Sequence, residues 1–124
     1  MSHFSRVTTK VVDLLYLKRA LDDMNMEFQE GRTKIRGYLG RKMTVDVKVE
    51  TSDGYDIGFV KNGDTYEVVA DWEMVRSFRQ DSFVQEVTRR YAYHVVKDQL
   101  EGQDFSVVTE NRQGEAVSLT LRRM

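Results

Sequence analysis

The stretch "YDIGFVKNGDTYEVVADW", residues 55–72, places Asn62-Gly63 between two runs in which apolar and polar residues alternate. This dipeptide between such runs is typical of a two-residue β-hairpin, because a type I′ turn requires positive φ at both central residues. One face of the hairpin is then continuously apolar, so we expect it to lie half-buried in an antiparallel sheet. The predicted cross-strand pairs are Lys61–Asp64, Phe59–Tyr66, Ile57–Val68 and Tyr55–Ala70.

The flanking segments predict an α+β fold, a twisted antiparallel sheet with two helices packed on one face and the other face partly open. Apolar residues spaced three and four apart, after Asp13 as N-cap, indicate a first helix, and a second begins at Gln80 or Asp81 and runs to about Leu100. Each helix leads through a similar turn into strands, and a pseudo-repeat of helix-then-strands is one interpretation. The other predicted strands are residues 4–11, 26–30 (ending at Gly31), 44–50, 105–110 and 117–122.

Composition excludes several kinds of chemistry. The 124 residues suit one domain spanning 1–124, and the absence of cysteine removes disulfides and thiolate nucleophiles. With 19 Lys+Arg against 20 Asp+Glu, the chain lacks the overall basic excess of a protein that binds nucleic acid mainly through phosphates. No apolar run is long enough for a membrane span and no leader peptide follows Met1, so we expect a soluble intracellular protein without membrane insertion.

Motifs for cofactors, metals and catalysis are missing. The two histidines, His3 and His94, are far apart, and "GYLGRK" at residues 37–42 fits neither a phosphate loop nor a dinucleotide fingerprint. We therefore expect no cofactor, no metal site and no catalytic residues, and favour a protein that is not an enzyme.

One segment is locally basic. Residues 32–42 carry five cations around one tyrosine, in a chain that is otherwise balanced in charge. The pattern predicts either an anion-binding, RNA-binding or acidic-partner patch, or a solvated connection between strands. The residues concerned are Arg32, Lys34, Arg36, Tyr38, Arg41 and Lys42.

On the second helix, four residues project together on the side opposite the predicted core: Arg89, Arg90, Tyr93 and Lys97. Tyrosine and arginine are enriched at interface hot spots, so this face is a candidate protein-binding surface. The alternative is that a guanidinium stacks on Tyr93 and solubilises the helix.

The central hairpin also contains residues that an apolar ribbon does not require, namely Asp56, Gly58, Asp71 and Trp72. Gly58 indicates either a close approach by a ligand or backbone, or relief of crowding within the sheet. Asp71 and Trp72 form a polar anchor beside an aromatic platform in one interpretation. In the other, Trp72 is an edge tryptophan that covers the core, and Asp71 caps the next turn or pairs with an arginine. These four residues define a candidate pocket, in which Asp56 or Asp71 with Tyr91 or His94 would serve as acid/base groups.

The chain resembles a known family. "MSHFS" at residues 1–5, the run at 55–72, "TRRYAYHVV" at 88–96 and "LRRM" at 121–124 are similar to the uncharacterised hypothetical chloroplast reading frame thirty-five family of cyanobacteria and plastids. Glu73 stands where the family pattern suggests a second aromatic residue. The resemblance implies a protein of the cyanobacterial cytoplasm or chloroplast stroma that is associated with photosynthesis, with no established reaction.

Three functions are therefore expected in order of preference. The first is a non-enzymatic accessory or interaction module that assembles or regulates a photosynthesis-related complex by binding an unidentified protein. The second is binding of RNA or a phosphorylated metabolite through residues 32–42, and the third is a small ligand-binding protein or enzyme with a pocket between sheet and helices.

Overall fold

The computed structural model describes the backbone of residues 3–102, 105–113 and 116–123, and the side chains of residues 3–102. It confirms the predicted α+β fold. In chain order the elements are β1 (Ser5–Thr8), α1 (Leu14–Asp23), β2 (Phe28–Arg36), a single 3-10 turn (Tyr38–Gly40), β3 (Lys42–Val49), β4 (Ile57–Asn62), β5 (Thr65–Ala70), α2 (Gln80–Glu101), β6 (Phe105–Gln113) and β7 (Ala116–Arg123).

Five strands form one open antiparallel sheet in the order β1-β5-β4-β3-β2, and β6 pairs with β7 in a separate two-stranded ribbon. β1 is shorter than the strand predicted over residues 4–11. The ladder to β5 becomes irregular beyond Thr8, because Thr9 N–H donates to the Tyr66 carbonyl whereas Tyr66 N–H donates to the Val11 carbonyl, two residues further along. Each helix is followed by an antiparallel hairpin, the order that the pseudo-repeat predicts.

The register of the central hairpin differs from the prediction by two residues. Asn62 pairs with Thr65, and Phe59 pairs with Val68 instead of Tyr66. The turn is centred on Gly63 and Asp64, with positive φ at Gly63 alone, which is the pattern of a type II′ turn. Since side chains alternate with a period of two, this shift leaves every residue on its predicted face.

The predicted apolar face is confirmed, and it forms the main core together with both helices. Phe59 and Val68 lie fully buried in one cluster with Leu17 of α1 and Phe83 and Val87 of α2. The Phe59 and Phe83 rings are 6.2 Å apart. At roughly 25 cal/mol per Å² of apolar surface, burial of these side chains is the main stabilising contribution to the fold.

The start of α1 is fixed on α2. Asp13 is the predicted N-cap, and its Oδ1 accepts the Leu15 N–H at 2.9 Å. The hydroxyl of Tyr91 accepts the N–H groups of Val12 and Asp13 at 3.1 and 3.0 Å, so α2 satisfies two donors in the segment that enters α1.

The second face of the sheet is covered at its centre by the β2–β3 hairpin. The prediction that the strand ends at Gly31 is wrong: Gly31, with φ of 96°, lies in an irregularity between Glu30 and Thr33, and β2 continues beyond it to Arg36. Past this point the hairpin curls over β4 and β5. Ile35 and Val45 accordingly pack on Val69, in a cluster separate from the main core.

The loop after β3 is held against the loop before α2 by Asp53. Its Oδ2 accepts the Arg76 and Ser77 N–H groups at 2.9 and 2.8 Å and the Ser77 hydroxyl at 2.6 Å. These bonds, those from Ser77 first, hold the pKa of Asp53 below its ordinary value. The stability that they provide is therefore present above the pKa of the unfolded chain and is lost as the pH falls through the lower, folded value.

Substitution of this carboxylate should reveal that pH dependence. We expect Asp53→Asn to melt at a lower temperature than the wild type at pH 7. The difference should shrink as the pH falls below about 4, where the unfolded chain takes up a proton, and vanish only when the folded carboxylate is protonated as well. Thermal unfolding of both proteins at pH 7 and pH 3 measures it. Asp64→Asn, in the exposed hairpin turn, is the matched control. A pH-independent difference would contradict the assignment.

Candidate functional site

The connection between β2 and β3, residues 36–42, is an irregular turn that we call the β2–β3 turn. Leu39 has φ 57° and ψ 36°, and Gly40 has φ 73°, so two consecutive residues adopt the left-handed conformation. The Gly37 N–H donates to the Arg41 carbonyl at 2.7 Å and closes the turn. Left-handed backbone is unfavourable for leucine by about 1 kcal/mol, so the rest of the structure must hold Leu39 there.

A buried carboxylate anchors the first end of the turn. Asp56 is fully buried. Its Oδ2 accepts the Arg36 N–H and Nε–H, both at 3.2 Å, and its Oδ1 accepts Arg36 Nη2 at 3.1 Å. The hydrogen bond with Asp56 and the attraction between the two charges raise the pKa of Arg36 above its ordinary value. The bidentate geometry fixes both the backbone and the side chain of Arg36.

A second buried carboxylate anchors the middle of the turn. Asp71, 1% exposed, directly follows β5, and its Oδ2 accepts the Tyr38 N–H at 3.0 Å. The Phe4 ring occupies the space where a Gly37 side chain would be, since a Cβ there would lie 2.7 Å from Phe4 Cζ. Next to Phe4, His3 Nδ1 lies 3.4 Å from Arg41 Nη1. The turn at one edge of the sheet is thereby tied to the strand at the other edge.

The anchored turn presents apolar side chains among cations. Leu39 is 73% exposed, the largest value among the exposed large hydrophobic residues in the described part of the chain, and Tyr38 is 37% exposed. The register places Arg36 directly opposite Lys42, and Lys34 next to this pair on the same face of the hairpin. The structure therefore brings the predicted basic residues together around an apolar tip. All are exposed: Arg32, Lys34, Arg36, Tyr38, Arg41 and Lys42.

The residues of the predicted pocket are not gathered around one cavity. Asp56 and Asp71 bond to the β2–β3 turn as described, and Val45 covers Gly58, where an added Cβ would lie 2.4 Å from Val45 Cγ1. Trp72 lies on the other side of the sheet, against Phe83 of the main core, with ring centroids 6.0 Å apart.

The acid/base partners suggested by the sequence are held elsewhere. The Tyr91 hydroxyl is bonded to the segment entering α1, and His94 Nε2 lies 2.7 Å from Asp23 Oδ2 at the end of α1. The described hydrogen bonds of the Asp56 and Asp71 carboxylates go instead to Arg36 and Tyr38. The geometry thus gives the proposed acid/base set no common site.

On α2, the candidate protein-binding face is drawn into ion pairs. Arg90 turns toward α1 because Asp23 of α1, 3.7 Å from Arg90 Nη1, and Glu86 attract it, and its side chain is only 18% exposed. Arg89 pairs with Glu86 one turn earlier. Lys97 Nζ lies 5.8 Å from the centroid of the Tyr93 ring, so lysine takes the stacking position that the sequence suggested for arginine.

Sequence reasoning missed the most exposed apolar residue of this site. Leu39 was not predicted as a functional residue, because a single leucine between Tyr38 and Gly40 belongs to no periodic pattern of apolar residues. No signal in the sequence indicates it, because single exposed leucines are common on protein surfaces. What distinguishes Leu39 is its left-handed backbone, which only the structure shows.

Two further features concern metal ligands and the lengths of the helices. Among the residues that the structure describes, no cluster of three histidine, aspartate or glutamate side chains is arranged to hold a metal ion. In the same part of the chain, neither helix combines the length and the apolar character needed to cross a bilayer.

Comparison with known proteins gives the context of this site. A family described as "Protein of unknown function (DUF1257)" matches residues 20–121. Proteins named "Uncharacterized protein ycf35" are similar along most of the chain: that of Cyanophora paradoxa is 33% identical over 89% of this chain and 87% of its own length, and that of Guillardia theta is 32% identical over 99% and 98%. The protein of that name from Pyropia yezoensis is 28% identical over 99% and 98%. No solved structure gives a significant match.

Proposed function

Because the chain belongs to the DUF1257 family of proteins of unknown function, whose relatives include the plastid ycf35 proteins, we propose that it is a non-enzymatic interaction module of a photosynthesis-related complex. It docks through the β2–β3 turn onto an acidic protein surface, in the cyanobacterial cytoplasm or the chloroplast stroma. This family membership agrees with the resemblance seen in the sequence. The location and the complex are part of the proposal.

The observation that carries the proposal is the exposed Leu39. A leucine in left-handed conformation is less stable than glycine or asparagine would be at the same place, and its exposed side chain gains nothing from burial in the protein itself. Two buried carboxylates nevertheless hold the turn rigidly. A rigid, strained, exposed apolar residue is what a protein interface uses, since little conformational entropy is lost when it enters a pocket on the partner.

The surrounding charge indicates the kind of partner. Lys34, Lys42 and Arg41 are exposed near the tip, and the Arg36 guanidinium is half exposed although it is paired with Asp56. A partner with an apolar pocket rimmed by aspartate or glutamate would bury Leu39 and meet these cations at the edge of the interface. Such rim charges contribute mainly to the association rate and to specificity.

Substituting Leu39 by asparagine separates binding from stability. Asparagine tolerates the left-handed conformation, so we expect Leu39→Asn to melt within about 2 °C of the wild type. Recovery of the partner should fall about tenfold, the effect of removing one hot-spot side chain. Thermal unfolding of the purified proteins measures the first, and quantitative affinity capture from an extract of the organism that encodes the chain, with the wild type and the variant side by side, measures the second.

Leu15→Asn supplies the matched control, because Leu15 is also an exposed leucine, 46% accessible, but lies on α1. Proteins that are lost with Leu39→Asn and retained with Leu15→Asn are partners of the turn. Equal recovery by the two variants would reject the turn as the contact surface.

A second candidate function is the binding of single-stranded RNA or a phosphorylated metabolite by the same turn. The observation in its favour is the direct pairing of Arg36 with Lys42 beside the exposed Tyr38, which places two cations near a ring on which a base can stack. The pairing of Arg36 with buried Asp56 reduces that positive charge, and for this reason we rank the protein partner first. Binding of an RNA oligomer that falls steeply with salt would support the second candidate, and a flat salt dependence would end it.

A further inference from the structure

A second surface of the molecule has the features of a peptide-binding groove. A groove of about 730 Å³ lies between the outer strand β1 and the first turns of α2. Val7 of β1, Trp72, Phe78 and Val84 supply apolar side chains to it, and they are only partly buried in the protein itself. The groove shares no lining residue with the β2–β3 turn.

The strand beside the groove is an edge strand. Among the strands that the structure describes, β1 is the last of the five-stranded sheet and pairs with β5 on one side only. Thr9 N–H points toward β5, where it bonds to the Tyr66 carbonyl at 3.3 Å. Because backbone groups alternate in direction along a strand, the N–H and C=O groups of Arg6 and Thr8 point away from β5, to the side where another strand can pair.

The charge beside the groove is positive. Arg76 and Arg79 line it, both exposed, and Arg79 has an 84% accessible side chain. Asp81 also lines the groove and lies 3.7 Å from Arg79 Nε, at a distance and exposure where an ion pair contributes little. An incoming acidic segment would therefore find two arginines at the rim and apolar side chains at the base.

We propose that an acidic, extended segment of a partner protein adds a strand to the outer edge of β1 and places an apolar side chain in this groove, with its carboxylates at Arg76 and Arg79. Strand addition supplies main-chain hydrogen bonds at Arg6 and Thr8, while the groove selects the side chain at every second position. Alternate residues of the segment face Val7, so the recognised pattern is an apolar residue flanked by acidic residues two positions away.

A synthetic peptide tests this with a built-in reporter. The probe is a blocked nine-residue peptide in which glutamates and one central valine alternate with threonines. Trp72 is the only tryptophan in the chain and lines the groove, so its fluorescence reports occupancy. We expect saturable binding below about 1 mM, and no binding of the matching peptide that has lysine in place of glutamate.

Neutralising the rim should weaken this binding. We expect Arg76→Gln combined with Arg79→Gln to lower the affinity about tenfold at physiological salt. The matched double variant Lys48→Gln with Lys61→Gln, on β3 and β4, should lower it less than about twofold. Hydrogen exchange distinguishes strand addition from electrostatic attraction alone. Only strand addition forms hydrogen bonds with the backbone of β1, so the amides of Arg6 and Thr8 should become protected when the peptide binds.

Three results would overturn the proposal. They are the absence of a saturable signal up to about 1 mM peptide, equal weakening by the two double variants, and unchanged exchange at Arg6 and Thr8 in the bound state. These results are independent of the β2–β3 turn, because no variant in this test changes a residue between 32 and 42, and the variants at Leu39 and Leu15 leave the lining of the groove unaltered.

Discussion

Replacing Arg36 by methionine should lower the free energy of unfolding by about 2–3 kcal/mol, measured by urea denaturation at pH 7. The guanidinium is half exposed, with 51% of its side-chain surface accessible, whereas Asp56 is fully buried. In Arg36→Met the Asp56 carboxylate stays buried but loses both guanidinium bonds. It keeps the bond from the backbone N–H of residue 36. A buried charge that loses its partner costs far more than the loss of an exposed ion pair.

A double variant distinguishes this cause from a simple loss of packing. Asparagine at position 56 retains an acceptor for the Arg36 N–H but removes the charge, so Arg36→Met with Asp56→Asn should be more stable than Arg36→Met alone. Lys34→Met removes the same charge from an exposed position on β2 and should change stability by less than about 0.5 kcal/mol. If Arg36→Met is as stable as Lys34→Met, the buried pair does not anchor the turn.

Alanine at Gly58 should cost about 2–4 kcal/mol, although alanine is intrinsically the better residue in a strand. The added Cβ would lie 2.4 Å from Val45 Cγ1 and 3.0 Å from Val45 Cβ. Val45 is buried against Ile35 and Val69, and its β-branched side chain has few rotamers with which to move aside. The curled hairpin must therefore shift away from the sheet.

The double-mutant cycle with Val45→Ala checks this contact. Val45→Ala alone removes two buried methyl groups, and we expect it to cost about 1–3 kcal/mol. The double variant Val45→Ala with Gly58→Ala should lose about 2 kcal/mol less stability than the two single losses add up to. Additive effects would show that Gly58 is needed for a reason other than the room it leaves for Val45.

The parts of the fold that depend on local chemistry were predictable. Asp13 and the apolar spacing that follows it gave α1, and the alternation around the central turn gave the buried face of β4 and β5. The register was wrong because the prediction put both central turn positions at Asn62 and Gly63, whereas Gly63 takes the first of them. A shift of two residues changes the cross-strand partners but leaves each side chain on the same face, so the predicted buried face was correct in spite of the wrong register.

The curl of the β2–β3 hairpin was not predictable in the same way. Alternation placed Val45 on one face with Val47, but the two side chains lie in different clusters. A bend is set by tertiary contacts between Ile35, Val45 and Val69, which are far apart in sequence. Gly31 was predicted to end a strand, yet it lies inside β2. Gly58 stood out within its strand, and it makes room for the Val45 side chain of the neighbouring strand β3.

In the candidate site, too, some features could be predicted from the local sequence and others depend on tertiary contacts. The cluster of cations at residues 32–42 was evident from composition, and the structure adds what organises it: the buried Asp56 and Asp71. The sequence suggested these two acids as pocket or acid/base residues and did not indicate that they are buried anchors of the turn, because burial is a property of the folded chain. Arg36 was expected to bind a ligand, but much of its hydrogen-bonding capacity is already used within the protein.

The pairing of β1 with β5 has a consequence for biosynthesis. Arg6 and its ion-pair partner Glu67 are 61 residues apart, so β1 leaves the ribosome well before the strand on which it docks. At synthesis rates of roughly 5–20 residues per second, the N-terminal segment waits for seconds without a partner. Polar and charged residues reduce the aggregation of a strand that is exposed before folding is complete. Three residues of β1 have this character: Ser5, Arg6 and Thr8.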